Sequence, residues 1–235
     1  NYPPAIYFFH GIFNFLFGTV LGMPQMNQFL LDNPANYGNI QFNIHLALLK
    51  IPYLIFDLLA GLILFKLAES TKKSTIALTL WLFNPISLYA TYMMGQFDVI
   101  PTFFIILSVY FVVKSKLKLA ALALGFGIAF KLYPIFLLVP LIILGKNYWE
   151  KLKLFVVSIA PYLLSILPYI SSHNFRTNAL FANQSSKSLY ATLPVSGGEA
   201  IIYFPVFLLF FYLIIWQAKF KTELWRLYLI PLLLF

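Results

Sequence analysis

A handful of ionisable and amide side chains interrupt long apolar runs in this chain, and these carry whatever chemistry it performs. Asp57 sits within Phe56-Asp57-Leu58, Gln96 and Asp98 flank Phe97 after Gly95, and Lys131 opens Lys131-Leu132-Tyr133-Pro134. A polar stretch further on holds His173 and Arg176. An ammonium or carboxylate placed in a bilayer costs several kcal/mol. Such groups therefore face a bundle interior or a polar cavity, where they pair or line a substrate path.

Each of these residues also has a plainer role. Asp98, at a junction between an apolar run and a turn, is a good helix N-cap. Lys131 can snorkel its ammonium towards water, although it stands about 12 residues from either end of its apolar run. Asp57 is a candidate ion partner of Lys131, or of Lys50, seven residues earlier on the same helical face, so Lys50 and Asp57 are structural ion-pair candidates. His173 and Arg176 read equally well as solvated loop residues. The many Met, Phe and Tyr side chains read as packing or lipid-facing. Asn183-Gln184-Ser185 fits a glycosylation acceptor, a pattern that is common by chance.

The setting is a membrane. The chain is 61% hydrophobic and 10% charged, with 19% aromatic residues, and its mean hydropathy is +0.85. Soluble domains lie near 45–50% apolar and about a quarter charged. The fold class is therefore all-α: a polytopic transmembrane helix bundle. With no cysteine there is no disulfide framework, thiolate metal site or cysteine nucleophile. The three scattered histidines make no transition-metal cluster, so no cofactor and no metal-binding residue is assigned; a divalent ion is compatible with the chemistry, but no ligands are identified. The formal charge of +9 comes in short blocks between apolar runs, a positive-inside pattern rather than a nucleic-acid-binding face. Walker loops, dinucleotide fingerprints and serine elbows are absent. No cleavable signal sequence is visible, and both termini read as cut from a longer protein.

Residues 1–43 read as the end of a first external loop containing an interfacial or re-entrant helix over Ala5–Leu21. Residues 44–235 read as the transmembrane domain. Ile44–Leu67, Thr75–Met94 and Val99–Val113 are alternating crossings, with Lys66, Lys72, Lys73, Lys114, Lys116 and Lys118 marking the cytoplasmic side. Leu119–Leu144, about 39 Å if wholly helical, is long for one crossing and short for two. A short-helix hairpin at about 119–145, broken near Lys131–Pro134, leaves every basic residue except Lys50, Lys131, Arg176 and Lys187 cytoplasmic. The positive-inside rule favours that arrangement. Leu154–Ile170 then runs outward, an external loop follows at about 171–200, and Ile201–Ala218 returns.

Taken in order, Tyr2-Pro3-Pro4, Lys50-Ile-Pro with Phe56-Asp57-Leu58, Asn84-Pro85 with Gly95-Gln96-Phe97-Asp98, and Gly125 through Lys131-Leu132-Tyr133-Pro134 resemble type C glycosyltransferases, membrane enzymes that use polyprenyl-phosphate sugars. The resemblance covers roughly residues 1–145. It is similar in kind to bacterial polyprenyl-phosphate-mannose enzymes, the first glycosylphosphatidylinositol mannosyltransferase and dolichyl-phosphate-glucose glucosyltransferases. It implies transfer of a hexose, mannose first among the choices, to an acceptor hydroxyl on the extracytoplasmic side. The implied partners are the polyprenyl-phosphate sugar donor, a lipid- or glycan-linked acceptor and membrane lipid. The implied location is the plasma membrane in a bacterium or the endoplasmic reticulum in a eukaryote. Lys131 would then stabilise the donor phosphate with Arg176 as a second contact, Gln96 and Asp98 would bind sugar hydroxyls, and Tyr133 would line the site. The family's catalytic aspartate lies upstream of the Tyr-Pro-Pro segment, so the expected base falls before residue 1 and no catalytic residue is assigned. A transporter or lipid flippase with a buried Asp57/Lys131 path is the alternative, and a non-catalytic membrane subunit is a third.

Overall fold

In a computed structural model the chain is a bundle of apolar helices with one small strand pair. Residues 3–22, 40–68 and 70–177 are described, together with 192–194, 200–202 and a few positions between 205 and 213. Helix α1 (Pro4–Leu21) begins with Pro4, whose missing N–H costs nothing in the first turn. It packs against the helices numbered below as α2, α6 and α8, so it belongs to the bundle.

Helix α2 (Ile40–Leu67) is followed after a short bend by α3 (Thr71–Leu82), where the Ser70 hydroxyl accepts a hydrogen bond from the Lys73 amide. The two lie close because of Gly61: a Cβ there would fall 2.8 Å from Leu78 Cδ1. Asn84 then caps α4 (Pro85–Leu88), its side chain accepting from the Ile86 and Ser87 amides with Pro85 in the first turn. The Asn84-Pro85 pair thus restarts a helix. A π-helical turn, Tyr89–Met93, follows and ends at Gly95, whose φ of 69° a residue with a side chain adopts only with strain.

Helices α5 (Val99–Val113) and α6 (Leu117–Phe130) form an antiparallel pair joined through Lys114-Ser115-Lys116. Its register is consistent along its length: Ser108 Oγ bonds the Ala120 carbonyl at 2.9 Å, and Gly127 stands beside Pro101 and Phe104. Helix α6 stops at Phe130. Pro134 has no N–H to give the Phe130 carbonyl, and its ring would collide with it in a continued helix. Lys131 is therefore extended (φ −155°, ψ 144°), and the chain goes on as a tight helical segment, Tyr133–Leu137, and a short α7 (Leu138–Ile143). Leu137, Leu138 and Leu141 share one buried cluster with Ala120, Ala121, Leu124, Ile105, Val109 and Leu154, so the segment after Lys131 lies back along α6.

Helix α8 (Tyr148–Ile166) starts earlier than the apolar pattern suggests. Asn147 accepts from the Glu150 amide at 2.8 Å while Glu150 accepts from the Lys146 amide at 2.7 Å, a reciprocal cap that draws Lys151 and Lys153 into the helix. Within the sequence expected to form the external loop, Thr192–Pro194 pairs antiparallel with Ala200–Ile202. Residues 23–39, Lys187, the Asn183 triplet and most of the last expected crossings fall outside the described residues.

Among the described residues three helices are long and apolar enough to cross a membrane: Leu46–Leu67, Thr71–Met93 and Tyr148–Tyr169. The all-α membrane bundle read from composition is the observed class.

Gly125 is a tight contact between α6 and α8. A Cβ there would lie 2.6 Å from the Ser158 carbonyl oxygen and 2.9 Å from the Pro161 ring. Gly125→Ala should lower stability by about 1–3 kcal/mol, the range for overpacking, whereas Gly11→Ala, with nothing within 4 Å of the new carbon, should not. Thermal unfolding of the two variants in detergent compares them directly.

Candidate functional site

The first consequence of the α5–α6 pair is a level meeting of two charges. Helix α5 has 15 residues and α6 has 14, spans of roughly 22 and 21 Å at 1.5 Å per residue. The residue just before α5 and the residue just after α6 therefore sit at the same end of the pair. These are Asp98 and Lys131, and Lys131 Nζ lies 2.5 Å from Asp98 Oδ1.

Asp57 does not partner Lys131. Nor does Asp98 cap α5: its backbone is already helical (φ −59°, ψ −20°), and its side chain makes no cap bond. The carboxylate is instead turned to the lysine, which also stands 5.6 Å from the centre of the Phe97 ring. The side chains of Lys131 and Asp98 are 29% and 43% exposed, so the lysine is not sealed in apolar surroundings. Ending α6 at Phe130 moves it to a helix end, which lowers the insertion cost that mid-run placement implied.

A second layer joins the pair to the helices. The Thr102 hydroxyl lies 2.7 Å from the Asp98 carbonyl oxygen and 2.9 Å from the Tyr133 hydroxyl. Tyr133 is thereby tied to the residue that carries the charge. Gln96 is half-buried beside Phe97, its backbone N–H bonded to the Ala90 carbonyl oxygen; among the described residues its side-chain amide has no hydrogen-bond partner. Phe97 and Phe130, the neighbours of the two charges, pack in one cluster with Ile6, Tyr53, Val99 and Ile100. His10 of α1 meets Tyr53 there, Nε2 to hydroxyl 3.2 Å. The result is a connected polar group of Asp98, Thr102, Lys131 and Tyr133 beside an aromatic wall, with Gln96 two residues before Asp98 on the same turn.

The remaining expectations fall elsewhere. Lys50 and Asp57 do not pair with each other. Lys50 Nζ donates to the Tyr92 carbonyl oxygen at 2.6 Å, and Asp57 Oδ2 accepts from the Tyr92 hydroxyl at 2.9 Å. The seven-residue spacing puts both on one face of α2, but Tyr92 fills the space between them. Arg176 is exposed and folds back locally, donating to the Ile170 and Ser171 carbonyl oxygens at 3.0 and 3.3 Å. No geometry brings it to Lys131. His173 starts a short helical turn after Ser172. Among the described residues no three His, Asp or Glu side chains converge.

Thr102 and Tyr92 were missed in the sequence. Thr102 carries a signal, the spacing of four from Asp98 that lets a helical hydroxyl reach back to a carbonyl. Tyr92 carries none, since nothing separates it from the other aromatic residues of its span.

These features define an integral membrane helix bundle with a polar group at one end of an apolar helix pair. A family profile described as GPI transamidase subunit PIG-U matches residues 6–229, and the chain belongs to that family. It is 35% identical over 97 residues to GPI mannosyltransferase 1 of Saccharomyces cerevisiae, covering 40% of this chain and 24% of that protein. It is 32% identical over 101 residues to GPI mannosyltransferase 1 of Kluyveromyces lactis, at 42% and 24% coverage. With the Dictyostelium discoideum protein of the same name it shares 30% over 115 residues, at 46% and 26%. The aligned part thus spans about a quarter of the length of these relatives. No solved structure matches.

The salt bridge should be measurable as coupling. In a double-mutant cycle on Asp98→Asn and Lys131→Met, chemical unfolding should give an interaction of about 1 kcal/mol, as for a partly exposed pair. Additive effects would mean that the two charges do not support each other in solution.

Proposed function

We propose that this chain carries the sugar-phosphate recognition part of a type C glycosyltransferase that moves a hexose, mannose by preference, from a polyprenyl-phosphate donor to a membrane-linked acceptor hydroxyl on the extracytoplasmic side. One observation carries the reading: a lysine and a carboxylate meet at one end of an otherwise apolar helix pair, with a half-buried glutamine on the turn that carries the carboxylate. Likeness to proteins named GPI mannosyltransferase 1 supports it and favours mannose and a glycolipid acceptor. In a eukaryotic cell the membrane would be the endoplasmic reticulum.

The roles follow from charge. The leaving group is a phosphate, which needs electrostatic stabilisation more than protonation, and Lys131 supplies the positive charge. Asp98 holds that ammonium in place before the donor arrives, and its free lone pairs and the Gln96 amide suit sugar hydroxyls. Tyr133, fixed through Thr102, lines the same space. The proton of the acceptor hydroxyl goes to a general base, which this reading assigns to a segment preceding residue 1. Arg176, engaged with its own carbonyls, would have to leave them to reach a phosphate.

The match to a transamidase-subunit family over nearly the whole chain favours a second reading, in which the same group binds a glycolipid without transferring sugar. Full-length protein supplied with polyprenyl-phosphate mannose and a glycolipid acceptor separates the two. The first reading expects transfer that Lys131→Met reduces by roughly 100-fold or more, the scale of losing one charge stabiliser, while Lys131→Arg keeps part of it. Binding of a glycolipid with no transfer supports the second.

The topology in this proposal puts Lys72, Lys116 and Lys151 on the cytoplasmic side and Ser171 outside. Cysteines placed at the three lysines should be shielded from an impermeant thiol reagent in intact cells, and Ser171→Cys should be labelled. Labelling at position 151 would show that the segment through Lys131 crosses the membrane completely.

A further inference from the structure

The turn that carries Gln96 and Asp98 is held at a point the transfer reading does not use. Tyr92 lies six residues before Asp98, in the π-helical turn Tyr89–Met93. Its two polar groups are gripped from one face of α2: Lys50 Nζ on its carbonyl oxygen at 2.6 Å, and Asp57 Oδ2 on its hydroxyl at 2.9 Å. Lys50 and Asp57 are two helical turns apart, roughly 10.5 Å along the axis, a span that an extended tyrosine bridges from main chain to phenol.

We propose that Lys50, Tyr92 and Asp57 form a positioning clamp that sets the level of the Gly95–Asp98 turn against Lys131. The last carbonyls of a helix lack intrahelical partners, and Lys50 fills that need for Tyr92. Asp57 is only 4% exposed, so its carboxylate has little freedom to move with Tyr92. The Asp57 carbonyl in turn accepts from Trp81 Nε1 at 3.0 Å, joining α3 to the same point. Beyond Tyr92 the chain runs through Gly95, with its left-handed φ of 69° and no neighbour that a Cβ would touch. At Gly95 itself no packing fixes the turn. The clamp, the Gln96 backbone N–H donating to the Ala90 carbonyl at 2.9 Å and buried Phe97 are what hold it.

The test reads position separately from activity. Spin labels on Gln96→Cys and Leu132→Cys in the full-length protein, freed of other cysteines, report the turn against the Lys131 segment. Labels on Leu122→Cys and Val156→Cys report the α6–α8 packing. Tyr92→Phe and Lys50→Met should broaden the first distance distribution and leave the second unchanged, while Asp57→Asn, which still accepts from the Tyr92 hydroxyl, should keep the first narrow. An unchanged 96–132 distribution in Tyr92→Phe, or broadening of both pairs together, would overturn the clamp. In unlabelled protein a shift of the order of 1 Å should cost turnover roughly 100-fold. That consequence rests on the transfer reading; if wild type transfers no sugar, the distances still decide the clamp.

Discussion

Everything at the polar end of this molecule depends on the matched lengths of two antiparallel helices. The tight connection at Lys114-Ser115-Lys116 fixes where α5 and α6 begin to separate, and near-equal arms of 15 and 14 residues bring Asp98 and Lys131 level. One extra residue in either arm would turn its last side chain by about 100° and move it about 1.5 Å. The ion pair would then break. The small residues along the contact, Ser108, Ala120 and Gly127, let the backbones approach closely enough for side chains at the ends to meet.

Pro134 supplies the second constraint. By ending α6 at Phe130 it delivers Lys131 to a helix end in an extended conformation, from which the ammonium reaches across to α5. A lysine kept within a continuous helix would point sideways into lipid or neighbouring side chains. The break is sheltered: Leu137, Leu138 and Leu141 are buried against α6, which is where irregular backbone in a membrane domain has to be.

The fold class was legible because composition dominates it, and Val99–Val113 was legible to the residue because Asp98 and Lys114 bound an unbroken apolar run. The break near Lys131 was legible too, from the length of the run and from Pro134. Pairing was harder to read. Asp57 and Lys131 are the two charges most deeply set in apolar sequence, and on that ground they look like partners. Their depth in sequence says nothing about which helices adjoin, and a tyrosine took the carboxylate that a lysine was expected to neutralise. The start of α8 was misplaced for a local reason: Asn147 and Glu150 cap a helix through charged residues that hydropathy assigns to a loop.

Family membership and the names of the matched relatives pull in different directions, and the geometry offers a reason both can apply. A protein that transfers mannose to a glycolipid and one that holds a glycolipid for another reaction each need a group that recognises a phosphate-linked sugar at a membrane surface. Lys131, Asp98 and Gln96 meet that shared need on the proposed reading, and none of them is asked to break a bond. Recognition residues of this sort can be kept while a catalytic base in another segment is kept or lost. The charged pair also suits either task. Asp98 neutralises Lys131 until an anion arrives, so this lysine is not left unpaired at the polar end of the helix pair, and an incoming phosphate has to compete with a partner that is already in place. That competition favours ligands that also satisfy Asp98 with hydroxyl groups, as the sugar of a sugar phosphate does and a bare phospholipid headgroup without hydroxyls does not.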